Sequence, residues 1–213
     1  MKLGIIGSGM IVHDFLKTAD KINNLELTAI SSTVRSKDIA RELANQYGIK
    51  KTYTDNEKMM VDPDVDTVYV AVPNFLHYEI AKEALEHGKN VICEKPFVES
   101  TEQAKELKQL ADEKELIILE AITNLYLENF KQIQKELKNI APIHIVNMNY
   151  TQYSSRYDAF LEGKIAPVFD PNKDGGALMD LNIYNIHLLA ALFGLPDKVQ
   201  YYANMQKGVD TSG

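Results

Sequence analysis

A lysine and an acid stand directly after a short apolar run: Val91, Ile92 and Cys93, then Glu94, Lys95, Pro96 and Phe97. Three apolar residues in a row read as a buried strand, and the carboxyl end of a buried strand in an open α/β sheet is where such folds bind ligands. Lys95 is therefore a candidate for holding a substrate oxygen by a charged hydrogen bond. A second group follows far along the chain. Asp180, Tyr184 and His187 are spaced i, i+4 and i+7, within about 60° of one another on a helical face. Gly175 and Gly176 free the backbone before that helix, which is expected to run to about Phe193. Leu181, Ile183, Leu188, Leu189 and Leu192 make it apolar over much of its girth, so a polar stripe on it is expected to line a cleft.

These groups need a frame, and the first 120 residues supply one. Lys2 to Ile6 is a short apolar strand, followed by Gly7-Ser8-Gly9 and a helix expected through about Lys21. Glycines at such a junction let a diphosphate approach the first amides of the helix, here those of Gly9, Met10 and Ile11, where the helix dipole favours an anion. The third fingerprint position departs from the pattern, with Val12 where glycine or alanine is common. A second strand, Leu25 to Ser31, ends without the acid that would hold a ribose 2′-hydroxyl; it runs instead into Ser31-Ser32-Thr33-Val34-Arg35. Small hydroxyls and a guanidinium suit a 2′-phosphate, so Ser32 and Arg35 lean the cofactor to NADP, with NAD the alternative. The same serines and threonine also suit a turn and a cap for the helix expected from Lys37 to Tyr47.

The alternation continues with strands at 51–53, 67–72, 91–93 and 116–120 and helices at 76–87 and 101–115, which reads as a doubly wound parallel sheet. Pro73 and Asn74 leave the 67–72 strand toward the same crevice, Asn74 able to present its amide to a ribose or nicotinamide, and His77 lies one turn further on. His13, His77, His87 and His144 have no metal-ligand spacing with Cys93 or one another, so no metal is expected.

Composition narrows the partners. The chain has 213 residues, a net charge of −7 and one cysteine. An acidic chain with no basic stripe is not expected to bind nucleic acid or an anionic membrane. A lone cysteine in an apolar run fits a reducing compartment, the cytoplasm, and no stretch has the length of a membrane span.

Gly7-Ser8-Gly9, Val72-Pro73-Asn74 with His77, Glu94-Lys95-Pro96, and Gly175-Gly176-Ala177-Leu178-Met179-Asp180 with Tyr184 together resemble the Gfo/Idh/MocA oxidoreductases. The resemblance covers nearly the whole chain. It implies a Rossmann NAD(P)-binding domain at 1–121 and a partial α/β substrate and oligomerisation domain at 122–213, whose sheet is open and mainly antiparallel. It further implies that the turn at Gly7 binds the cofactor diphosphate, that Lys95 contacts substrate and nicotinamide ribose, and that the Lys95–Pro96 peptide is cis. Tyr184 stands where family members carry histidine or tyrosine, which places this chain with the tyrosine members, many acting on sugars or dihydrodiols. The expected activity is hydride transfer between nicotinamide and a secondary alcohol of a sugar, polyol or diol, with Lys95, Asp180 and Tyr184 catalytic and Glu94 among the cofactor contacts. A homo-oligomer through the second sheet is expected. The alternative is a non-catalytic dinucleotide-binding regulator or an inactive remnant, since the chain ends earlier than the family does. In the second domain 143–152 alternates and 198–206 reads as another strand. Arg156 and Tyr157, in the long loop between them, are candidates to reach substrate.

Overall fold

The computed structural model describes all residues from Met1 to Gly213, and the chain divides into two units, Met1–Ala121 and Ile122–Gly213. The first unit is a six-stranded parallel sheet. Its elements are β1 (Lys2–Ile6), α1 (Met10–Leu16), β2 (Glu26–Ser31), α2 (Lys37–Tyr47), β3 (Lys51–Tyr53), α3 (Asn56–Met60), β4 (Thr67–Val70), α4 (His77–Glu86), β5 (Asn90–Cys93), α5 (Thr101–Glu113) and β6 (Ile118–Glu120). The strand order is β3-β2-β1-β4-β5-β6, so the winding reverses between β1 and β4. That reversal opens a crevice at the carboxyl ends of the strands.

Register sharpens the point. Tyr53, Ser31, Ile6, Val70, Cys93 and Glu120 pair in turn across all six strands. Gly7, Ser32, Pro73, Asn74, Glu94 and Lys95 each follow that row by one to four residues, so parallel pairing brings their loops to one edge of the sheet. Each face of the sheet has its own core. Met59, Met60, Ile80, Ala84, Leu85, Leu107 and Ala111 of α3, α4 and α5 cover one; Val12, Leu16, Ala40, Leu43 and Ala44 of α1 and α2 cover the other. Strands buried on both faces read as continuous apolar runs, which is why 67–72 and 91–93 stood out.

The first helix stops at Leu16 rather than running to Lys21, and Ala19–Lys21 is a separate 3₁₀ turn. The reason is local: both the amide and the hydroxyl of Thr18 donate to the Phe15 carbonyl at 3.0 Å, tightening the end of the helix.

A charged group pins the β3 edge. Asp62 is 7% exposed and accepts from Lys51 Nζ at 2.7 and 3.0 Å, Tyr53 Oη at 2.8 Å and the Asp64 amide at 3.0 Å. The Lys51 ammonium, above all, holds the Asp62 carboxyl down to about 2, against the opposing effect of burial. A depressed folded-state pKa stabilises above the ordinary carboxylate range and is lost as pH falls through the folded value. Lys51 is 37% exposed in its side chain, which screens the pair, so Asp62→Asn is expected to cost about 1–2 kcal/mol at pH 7. In urea titrations the gap between wild type and Asp62→Asn should close between pH 4 and pH 2; a gap unchanged across that window contradicts the assignment.

The second unit contains α6 (Glu128–Glu136), α7 (Tyr157–Leu161), α8 (Ile183–Phe193) and an antiparallel hairpin of β7 (Asn204–Gln206) and β8 (Val209–Ser212). Lys207 and Gly208, at φ 50 and 74°, make the two-residue turn that such hairpins favour. Two expectations are corrected. Residues 143–152 alternate but form no strand, and only the last three residues of 198–206 do. Alternation sorts side chains between faces; a strand also requires a neighbour for its amides and carbonyls, and 143–152 has no ladder. Tyr157 does not stand free to reach substrate. Its ring stacks on the buried Phe160 and its hydroxyl donates to Gln206 at 2.6 Å, which ties α7 to the hairpin.

Candidate active site

The glycine turn is shaped by what lies on either side of it. Gly7 has φ +120°, its amide donates to the Ser31 carbonyl at 2.9 Å, and a Cβ on it would lie 2.1 Å from the Ala71 carbonyl oxygen. The chain thus passes between the ends of β2 and β4 where only a glycine fits. Gly9 caps α1, and a Cβ there would meet no atom within 4 Å. Met10 and Ile11 beyond it are exposed. Open space above a helix start, with a bare backbone beneath, fits a diphosphate. Val12, the departure from the fingerprint, is fully buried among Leu3, Ile5 and Leu16, so its bulk fills the core and leaves the turn unobstructed.

At the end of β2, Ser31 and Ser32 are buried. Ser31 Oγ donates to Asn56 Oδ1 at 2.7 Å, and the Ser32 amide donates to the Tyr53 carbonyl at 3.1 Å. Thr33 and Ser36 link their hydroxyls at 3.0 Å in the turn before α2. These hydroxyls shape the bend, and Arg35, in the 3₁₀ turn Val34–Ser36, is exposed. No acid stands there.

Beyond β4, Pro73 leads into the 3₁₀ turn Asn74–Leu76. His77 is fully buried, its Nδ1 2.8 Å from the Pro96 carbonyl oxygen and its Nε2 2.9 Å from that of Val72. Its expected place among the cofactor contacts is therefore corrected: both ring nitrogens are engaged on main chain, and the side chain ties the Asn74 loop to the Lys95 loop. The Lys95–Pro96 peptide is cis. Glu94 accepts from the hydroxyl of Tyr69, a buried residue of β4, and its other oxygen lies 3.3 Å from the Lys95 amide. Burial, then the Glu94 carboxylate, pushes the Tyr69 phenol well above its ordinary value. The buried Cys93 thiol is likewise pushed up, first by desolvation and then by Glu94 and Glu120, so it is a core group and no nucleophile. Glu120 also accepts from the Phe97 amide at 3.1 Å.

Tyr69 and Glu120 were not singled out from sequence. A signal existed for Glu120: it ends the apolar run Ile117-Ile118-Leu119 just as Glu94 ends its own.

In the second unit, Gly176 has φ +118° and leads into a π-helical turn, Leu178–Asn182, that precedes α8. Asp210 Oδ2 accepts from the Leu178 amide at 2.9 Å and from Tyr201 Oη at 2.8 Å, anchoring the start of that turn to β8. Burial and then Asp210 push the Tyr201 phenol up to about 12. Asp180 lies in the π turn, and Tyr184 and His187 lie in α8. Tyr184 stacks on Tyr150 with ring centroids 4.5 Å apart, and its carbonyl accepts from Asn124 Nδ2 at 2.9 Å. A groove of about 450 Å³ in this unit is lined by Met148, Tyr150, Leu181, Asn182 and Asn185, among others.

The sheet order, the glycine turn and the loops gathered past its carboxyl edge define a dinucleotide-binding Rossmann unit. Residues 1–122 match the Gfo/Idh/MocA oxidoreductase family model, described as an NAD-binding Rossmann fold, and the chain belongs to that family. It is 37% identical to scyllo-inositol 2-dehydrogenase (NADP(+)) IolU of Bacillus subtilis over 215 residues, covering all of this chain and 65% of that protein. It is 31% identical to D-xylose 1-dehydrogenase (NADP(+)) of Hypocrea jecorina over 199 residues, covering 86% of this chain and 51% of the relative. Among solved structures, the 3-ketoreductase KijD10 of Actinomadura kijaniata, crystallised with NADP and TDP-benzene, superposes with a TM-score of 0.76 at 27% identity, over 90% of this chain and 57% of that one. The chain thus spans just under two thirds, or less, of the length of the relatives it matches.

Proposed function

We propose that the protein is an NADP-dependent oxidoreductase that moves a hydride between the nicotinamide and a secondary alcohol carbon of a sugar, polyol or diol. One observation carries the reading: the loops bearing Gly7, Asn74 and Lys95 all leave the same edge of one parallel sheet, next to its reversal point. The NADP(+) dependence in the names of the two sugar and polyol relatives supports it. The diphosphate is assigned to the amides of Gly7, Gly9, Met10 and Ile11, the adenosine ribose to Ser32 and Arg35, and the nicotinamide side to Pro73, Asn74, Glu94 and Lys95. The bound dinucleotide supplies the hydride acceptor or donor, and the chain supplies everything that orients it.

Lys95 holds the substrate oxygen by a charged hydrogen bond. Tyr184 serves as acid–base, its phenol giving or taking the proton of the substrate hydroxyl. Asp180 orients the substrate. The second unit is assigned to substrate binding and to self-association, which the exposed Tyr202 and Met205 on and before its hairpin support. A free, buried Cys93 supports a reducing compartment, the cytoplasm.

The test is the nicotinamide absorbance change with the full-length protein, NADP⁺ or NAD⁺, and a panel of inositols, aldoses and diols. Turnover of none of them overturns the reading. Cofactor choice has its own check. Arg35→Ala is expected to weaken NADPH by roughly tenfold, a charge-assisted contact of about 1.5–3 kcal/mol partly screened at an exposed site, and to leave NADH unchanged. Equal titration curves for NADPH in wild type and variant remove Arg35 from the site.

A further inference from the structure

The loop that follows Lys95 is gripped at a single peptide plane. The Pro96 carbonyl faces His77 Nδ1 at 2.8 Å, and the Phe97 amide donates to Glu120 Oε1 at 3.1 Å. Carbonyl and amide belong to the same peptide unit, so one side chain from α4 and one from β6 hold its two polar atoms. Pro96 has no N–H, which makes the Phe97 amide the first main-chain donor after Lys95. A peptide fixed at both atoms cannot rotate without breaking one contact, and its rotation would swing the lysine beside it.

We propose that Glu120 is a positioning residue for Lys95, acting through the Phe97 amide. This rests on the assignment of Lys95 to catalysis. Glu120 pairs directly with Cys93 in the ladder, and the next amide, Ala121, donates to the Cys93 carbonyl at 2.7 Å. Its backbone is therefore rigidly registered to the strand from which the loop departs. β6 is also the last strand of the sheet, so no further strand stands beside it to restrain the loop. A carboxylate suits the task, because an ionised acceptor forms the shorter and stronger hydrogen bond to an amide. Its charge is felt in the loop base, where it helps push up the Cys93 thiol.

The experiment compares Glu120→Met, of similar length but without an oxygen acceptor, with Glu120→Gln, whose amide oxygen still accepts from Phe97. In the full-length protein with NADP⁺ and an alcohol that it oxidises, Glu120→Met is expected to lower kcat tenfold or more, with the cofactor KM within about twofold of wild type, while Glu120→Gln recovers kcat to within about threefold. Hydrogen exchange at the Phe97 amide should accelerate at least about tenfold in Glu120→Met and stay slow in Glu120→Gln. Faster exchange with an unchanged kcat makes Glu120 merely structural and overturns the proposal, as does slow exchange in Glu120→Met. Should the methionine variant fail to fold, Glu120→Ala carries the same comparison. If wild type turns over no alcohol, the oxidoreductase reading fails separately, and the labelling rate of Lys95 by an amine-reactive reagent decides. A rate altered in Glu120→Met and restored in Glu120→Gln supports positioning; equal rates in all three refute it.

Discussion

Replacing Lys95 with alanine is expected to lower kcat by roughly 10² to 10⁴, the scale for losing a positioned group in proton or hydride chemistry. The loss should be chemical, because the loop is held by contacts that do not use the lysine side chain: Tyr69 on Glu94, His77 at Pro96 and Glu120 on Phe97. Tyr184→Phe is expected to fall in the same range while the affinity for cofactor changes less than about threefold, since only a hydroxyl is removed and the ring can still stack on Tyr150. Groups that act as a unit are not additive, so a double variant little worse than the worse single one would assign both to one step. Losses that multiply would assign them to separate steps. A Tyr184→Phe enzyme with wild-type kcat would remove the tyrosine from the mechanism and make His187 the next group to replace.

The parts of this molecule that sequence made legible are those written as period and punctuation. Short apolar runs ended by glycine, serine, proline or acid marked β1, β2, β4, β5 and β6, and their alternation with amphipathic helices implied the parallel sheet before any register was known. Family resemblance located the cis Lys95–Pro96 bond, which no periodicity could do. What stayed hidden was long-range and aperiodic. His77 reaches a carbonyl 19 residues away and Glu120 an amide 23 residues away, and a side chain that bonds to main chain leaves no trace in residue spacing. His77 accordingly read as a cofactor contact and Glu120 was passed over. The π turn at Leu178–Asn182 was invisible for a related reason: its residues would suit an α-helix equally well, and its start is anchored by Asp210, about thirty residues on. Residues 143–152 erred in the opposite direction, carrying the alternation of a strand without the neighbour that makes one.

Gly7→Ala should be the most damaging small substitution in the first unit. At φ +120° any L side chain is strained, and the new methyl would overlap the Ala71 carbonyl oxygen at 2.1 Å, a backbone atom with no rotamer to escape through. Relief requires either that the end of β4 withdraw, straining the 2.9 Å bond from the Ala71 amide to the Ile6 carbonyl, or that Gly7 turn and give up its 2.9 Å bond to Ser31. Strain of about 1–3 kcal/mol plus a lost hydrogen bond of about 1 kcal/mol gives an expected destabilisation of roughly 2–4 kcal/mol, or a Tm lower by about 10 °C. NADPH affinity should fall more than tenfold, since the amides of the turn move with it. Gly9→Ala separates the two effects. Its φ of −79° suits alanine and its Cβ meets nothing within 4 Å, so stability should hold to about 0.5 kcal/mol. The methyl would nonetheless occupy the space assigned to the diphosphate, and NADPH binding should weaken by roughly tenfold or more. Calorimetry and cofactor titration on the pair decide it: an unchanged Tm for Gly7→Ala refutes the strained turn, and unchanged NADPH binding by Gly9→Ala moves the diphosphate elsewhere.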